Sequence, residues 1–180
     1  MVKPNGFDEA QAITGEFKAL PAGGYVCKII RAELTVSQRG AEMLRIAIDI
    51  SGGEYDGYFR KMFDRRRANN PDAKWPCQYY QLTQGDHVGR LKGMLQNIEA
   101  SNDGWKWNWD ESELAGKLFG GRFQEEEYRG TDGKVHTSMR CSNILPVAGI
   151  DEIAIPEKKT LNGQSEPSYS SPMNSEEIPF

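Results

Sequence analysis

Between Gly57 and Tyr80 the chain reads GYFRKMFDRRRANNPDAKWPCQYY. From Arg60 to Trp75 there are six bases, Arg60, Lys61, Arg65, Arg66, Arg67 and Lys74, against two acids, Asp64 and Asp72. Phe59, Phe63, Trp75, Tyr79 and Tyr80 are interleaved with them. Cations meet phosphates, and exposed rings let bases stack for about 1–3 kcal/mol each whatever the base, so the mixture suits a single-stranded nucleic acid. Period 2 sets Phe59 and Phe63 on one face of an extended strand without saying whether that face is core or groove. Trp75, in a polar loop between Pro71 and Pro76, is expected to be exposed. Trp105, Trp107 and Trp109 alternate with Lys106 and Asn108, so an extended segment would put the three rings on one side. One or two would close the apolar floor of the domain, leaving Trp105 or Trp107 to reach a strand of DNA. The plainer alternative is a solvated Arg-rich loop with the aromatic residues in the core.

Catalytic chemistry finds no comparable support. His87 falls near a helix start and His136 in a strand, and no HExxH, GxSxG or GxxxxGK[ST] pattern occurs. Glu125, Glu126 and Glu127 are consecutive, so on a strand their carboxylates alternate between faces, which suits a solvated edge better than a metal site. The expectation is no catalytic residue, no metal, no cofactor and no enzyme activity. Cys27, Cys77 and Cys141 are odd in number, far apart and without a CxxC pair, and read as small buried residues.

At 180 residues, with 38% hydrophobic and 27% charged content, the chain is sized for one domain with extensions. No apolar run approaches the roughly 18 residues of a membrane span, and the first residues carry no apolar signal segment. A cytoplasmic protein without membrane association is expected. The net charge of -4 argues against a nucleic-acid binder until it is located. Residues 151–180 hold six acids and two bases, whereas residues 1–150 hold 20 of each, so the acidic excess lies wholly in the tail.

The elements that must position the candidate groups follow from periodicity. LPAGGYVCKIIRAELTV reads as a first strand; in AEMLRIAIDI, Leu44, Ile46, Ile48 and Ile50 alternate with Arg45 and Asp49, the mark of a half-buried second strand. Arg39-Gly40 suits the hairpin turn between them. YDGYFRKMF is expected as the third strand, and the following DRRRANNPDAKWPCQYYQ as a long loop. DHVGRLKGMLQNIEAS spaces Val88, Leu91, Leu95 and Ile98 by three or four and predicts an amphipathic helix. GKLFGGRFQEEEYR and KVHTSMRCSNILPV are the last two strands, with Gly130-Thr131-Asp132-Gly133 as their hairpin turn. The sum is a mainly β fold: a five-stranded OB barrel with one helix between strands 3 and 4, in which Gly120-Gly121 would let a strand bend round a corner. Residues 1–20 form a lead-in, 21–150 the barrel domain, and 151–180 an acidic tail whose Ser, Pro, Asn, Gln and Glu content from about Pro156 predicts disorder.

The last residues, EEIPF, follow that polar stretch and resemble the acidic tip of bacterial single-stranded DNA-binding proteins. LPAGGYVCKIIRAELTVSQRGAEMLRIAIDISGGEYDGYF resembles the start of phage-encoded relatives of those proteins, with its Leu-Pro-Ala-Gly opening and GEYxG link. Residues 64–115 depart from the compact bacterial pattern. The resemblance implies a protein that coats and protects single-stranded DNA in a bacterial host, in association with the nucleoid, as a homo-oligomer where it self-associates. It also implies recruitment of replication, recombination and repair enzymes through Glu176, Glu177, Ile178, Pro179 and Phe180. Phe180 would fill an apolar pocket with its ring and meet a basic rim with its free carboxylate, while Pro179 limits the entropy lost on docking. Twenty linker residues from Pro156 to Ser175 would give the tip a reach of roughly 25 Å. A recombination mediator or strand-annealing accessory, with DNA binding secondary, is the main alternative; a nuclease subunit ranks below both for want of a metal-carboxylate set.

Overall fold

The computed structural model describes residues 18–161. Its frame is a five-stranded antiparallel sheet in the order β3-β2-β1-β4-β5. The strands are β1 (Gly23–Val36), β2 (Glu42–Ile50), β3 (Gln78–Leu82), β4 (Leu118–Arg129) and β5 (Val135–Leu145). Two helices complete a mixed α/β fold: α1 (Tyr58–Asn69) between β2 and β3, and α2 (Val88–Ala100) between β3 and β4. The one expected helix, which is α2, both hairpins and four of the five expected strands stand where the sequence puts them, and α1 is an addition.

Two expectations are corrected. The segment YDGYFRKMF is not a strand; most of it is the first half of α1. A spacing of four between Phe59 and Phe63 satisfies both periods, and Met62 breaks the tie: Phe59, Met62 and Phe63 stand at i, i+3 and i+4, all packed on or in the core. The third strand lies instead in QYYQL, inside the presumed loop, and pairs with β2 from Met43↔Leu82 to Ala47↔Gln78. Five residues with a glutamine at either side give too short a pattern to announce a strand, although adjacent tyrosines favour one.

The sheet is not closed into a barrel. β3 and β5 are its two edges, without a ladder between them. α2 lies across this seam. It buries Leu91, Met94, Leu95 and Ile98, and Asn97 donates from Nδ2 to the Ile144 carbonyl on β5 at 2.9 Å.

Inside the curve, Ile29, Ile46, Ile48, Ile98, Leu114, Phe119 and Phe123 are almost wholly excluded from water. Each such side chain contributes about 1.5–3 kcal/mol by burial. β2 is covered on both faces rather than half-buried, because Asp49, Ala47 and Arg45 on its outer face are buried as well. Arg45 pairs with Glu33 on β1, and Asp49 is covered by the start of α1.

Glycines on β1 and β4 make room for the chain that follows β5. A side chain at Gly24 would place its Cβ 1.7 Å from the Ile150 carbonyl oxygen, and one at Gly120 would come within 2.4 Å of the Pro146 carbonyl oxygen. The chain after β5 therefore lies flat against β1 and β4. It then runs beside the outer half of β4: Glu127 N–H donates to Lys159 O at 2.9 Å, and Lys159 N–H donates to Glu125 O at 2.8 Å. Lys158 and Lys159 pair with Glu127 and Glu126. The sheet thus holds the chain as far as Leu161, past the Pro156 at which composition predicts disorder to begin. Residues 162–180, including the tip, lie outside the described residues, as does most of the lead-in. No helix among the described residues is long and apolar enough to cross a membrane.

Candidate nucleic-acid interface

α1 is held by a residue from a neighbouring strand. Its N-cap is Gly57, with φ 66° and no side chain to offer the first amides, and its first turn carries no acid. Asp49 on β2 takes over: Oδ1 accepts from Phe59 N–H at 2.9 Å and Oδ2 from Arg60 N–H at 3.2 Å. A carboxylate at this end of a helix also meets the positive pole of its dipole. Burial nevertheless pushes the Asp49 carboxyl up from its ordinary value, against the hydrogen bonds that pull it down. The helix ends at Asn70, in extended conformation ahead of Pro71, as a residue before proline should be.

So anchored, α1 and the loop after it enclose a pocket of about 500 Å³ against the outer face of β1 and β2. Arg60, Phe63, Arg67, Lys74 and Trp75 line it, joined by Ile30, Arg31, Ala47, Pro71, Asp72 and Ala73. The Arg60 guanidinium lies 4.8 Å from the centroid of the Trp75 ring, and that of Arg67 lies 5.8 Å from the Phe63 ring. Phe63 and Trp75 are themselves in contact, with centroids 5.3 Å apart. Arg31 follows a bulge in β1 at Ile30 and pairs with Glu33 at 2.8 Å. Such a surface offers cations at its rim and rings on its floor, the combination that backbone phosphates and bases require.

Five of the eleven candidates for nucleic-acid contact are thus brought together. Phe59 is not among them: it is core, 3% exposed and stacked on Phe123 with centroids 5.8 Å apart. Trp75 lines the pocket but is not the exposed ring expected from its polar surroundings. It is 8% exposed and its Nε1 donates to Ile48 O at 2.8 Å, so it is a fixed and largely buried part of the pocket floor. Lys61 turns back to the Asp56 carbonyl, and Arg65 and Arg66 are exposed on α1 outside the pocket.

The tryptophan triplet does not share one side. Trp105 and Trp107 pack against the core, with the Lys117 ammonium 4.7 Å from the Trp105 ring centroid and Trp107 Nε1 bonded to Asp110 O. Trp109 takes φ 63°, the one non-glycine residue in the left-handed region among those described, and stands 79% exposed with its ring 4.8 Å from that of Trp107. A bulky residue so held is strained, by about 1–3 kcal/mol. The solvent-facing ring is therefore Trp109 rather than Trp105 or Trp107. The alternating pattern contains it, but nothing in that pattern announces the turn that singles it out.

Other candidate chemistry is accounted for structurally. The three cysteines, distant in sequence, are free and buried in the core; burial pushes Cys77 up to about 12 and Cys27 and Cys141 well above the ordinary thiol range. Glu126 and Glu127 are engaged with lysines of the returning chain. No group of three or more metal-ligating side chains is present among the described residues.

A family described as a protein of unknown function (DUF669) matches residues 5–84. Every residue lining the pocket beside α1 falls within that stretch, whereas Trp105, Trp107 and Trp109 fall outside it. No curated protein matches the chain significantly.

Proposed function

We propose that this protein binds single-stranded DNA without strong sequence preference, through the pocket beside α1, and that it has no catalytic activity of its own. The observation that carries this reading is the convergence of Arg31, Arg60, Arg67 and Lys74 on a floor made by Phe63 and Trp75. The reading is supported by the strand order and the helix between β3 and β4, which would suit an OB fold opened between β3 and β5, a fold that uses its sheet face for oligonucleotides. Fold alone assigns no function, so the weight rests on the pocket. In the same reading the terminal Glu176, Glu177, Ile178, Pro179 and Phe180 dock replication, recombination and repair enzymes, and the protein works in the host cytoplasm at the nucleoid. That part rests on the resemblance of the sequence.

Quenching of tryptophan fluorescence by oligo-dT, repeated with a duplex of equal length at several salt concentrations, tests the proposal. Single strands should bind more tightly, with a log-log salt slope that grows by about 0.7 in magnitude for each phosphate engaged. Equal or tighter binding of duplex would overturn it.

A further inference from the structure

Lys74 sets one wall of the pocket apart from an ordinary basic surface. Its Nζ is shielded from solvent and has no hydrogen-bond partner among the described residues. Lysines seldom accept this, because an ammonium withdrawn from water is costly unless an anion or several acceptors replace the lost hydration. Arg60 and Arg67 are cations, Phe63, Trp75, Ile30 and Ala47 are apolar, and Asp72, the one acid of the lining, is exposed and makes no hydrogen bond to Lys74 Nζ. An anion that enters the pocket would supply the missing partner.

The charge of that anion can be read from the wall. Of its four cations, Arg31 is paired with Glu33, and Asp72 is the single acid in the lining. Glu33 is shared with Arg45, so at least two positive charges of the lining are not matched by these acids. An internal phosphodiester brings one negative charge, whereas a phosphomonoester carries about -1.5 to -2 at neutral pH and three acceptor oxygens. Guanidinium forks from Arg60 and Arg67 suit two of those oxygens, and the ammonium of Lys74, once its side chain turns from the shielded position into the pocket, suits the third.

We propose that the pocket beside α1 is a phosphomonoester subsite that holds the terminal phosphate of a DNA strand, with Lys74 as its buried cation. The assignment to a strand end rests on the single-strand reading above; the assignment to a phosphomonoester does not.

Calorimetric titration of the full chain separates the two. The probes are oligo-dT with a 5′-phosphate, with a 3′-phosphate or with hydroxyl ends, together with dTMP and thymidine. At least one phosphorylated end should bind about tenfold more tightly than the hydroxyl-ended strand, and dTMP more tightly than thymidine. Lys74→Met, which keeps the length of the side chain and removes its charge, should abolish both preferences without lowering the melting temperature. A merely structural lysine would lower it. Equal affinity for phosphorylated and hydroxyl ends, or a preference that survives in Lys74→Met, overturns the subsite. If hydroxyl-ended oligo-dT binds while a terminal phosphate adds nothing, the subsite falls and the single-strand reading stands. If dTMP binds in a Lys74-dependent way while no oligonucleotide does, the phosphomonoester subsite stands and its strand-end assignment falls with the single-strand reading.

Discussion

Replacing Asp49 tests how the pocket is built. Asp49→Ala removes the acceptor for Phe59 N–H and Arg60 N–H at the start of α1, and for Ile50 N–H in β2 at 2.9 Å. The bonds from Ile50 and Phe59 are buried, so each amide left unpaired costs about 1–2 kcal/mol; that from Arg60 is closer to water and costs less. Loss of the charge at the helix start removes a few tenths more, and release of a carboxylate from a buried site gives part of this back. The expected net loss is about 2–4 kcal/mol, or roughly 10 °C in melting temperature for a domain of this size. Asp49→Asn keeps one acceptor oxygen and should cost about half as much.

The pH dependence gives a second handle on the same residue. The folded carboxyl titrates above its ordinary value, so the folded state holds the proton more tightly than the unfolded one. Its contribution is complete below the unfolded value of about 4 and is lost as pH rises through the folded value. The advantage of the natural protein over Asp49→Asn should therefore shrink from acid toward neutral pH. Urea unfolding of the three forms across that range, followed by tryptophan fluorescence, measures both effects. If Asp49→Ala unfolds within about 0.5 kcal/mol of the natural protein, Asp49 does not anchor α1.

Three further outcomes follow from the geometry. The double change Arg60→Ala with Arg67→Ala should weaken oligo-dT binding and flatten the salt slope by about 1.4, whereas Arg65→Ala with Arg66→Ala should do much less; equal effects would mean that the pocket does not direct the strand. Trp75→Ala should destabilise the fold by about 3–5 kcal/mol in chemical unfolding, while Trp109→Ala should change stability little or raise it by relieving the left-handed backbone, and the reverse order would contradict the burial described for both. Cys27, Cys77 and Cys141 should resist iodoacetamide at pH 8 until denaturant is added, as read by intact mass, because burial keeps all three thiols protonated; rapid native labelling would contradict their placement.

How far the sequence carries depends on which interactions are local. β1, β2, β4, β5 and α2 are legible because each repeats one period long enough to exclude the other. α1 is not, since Phe59 and Phe63 fit either period and the residue that caps the helix, Asp49, comes from a different element. The basic and aromatic composition of residues 57–80 marks the right region for the pocket, yet it cannot sort Arg60 and Arg67 from Arg65 and Arg66. That distinction exists only once the helical turn is known. Arg31 escapes notice because it lies some thirty positions upstream and reaches the pocket through a β-bulge. Trp75 misleads because a polar neighbourhood in sequence says nothing about the Ile48 carbonyl on β2 that accepts its indole N–H.

The claim that DNA lies against α1 is tested most directly by photocrosslinking. Oligo-dT carrying 5-bromodeoxyuridine would be irradiated with the full chain and the attached peptides identified by mass spectrometry. Crosslinks should fall within residues 58–75, on the peptide that contains Phe63, and should be lost when unmodified oligo-dT is added as competitor. Crosslinks confined to residues 105–109 or to the β4–β5 hairpin would contradict it.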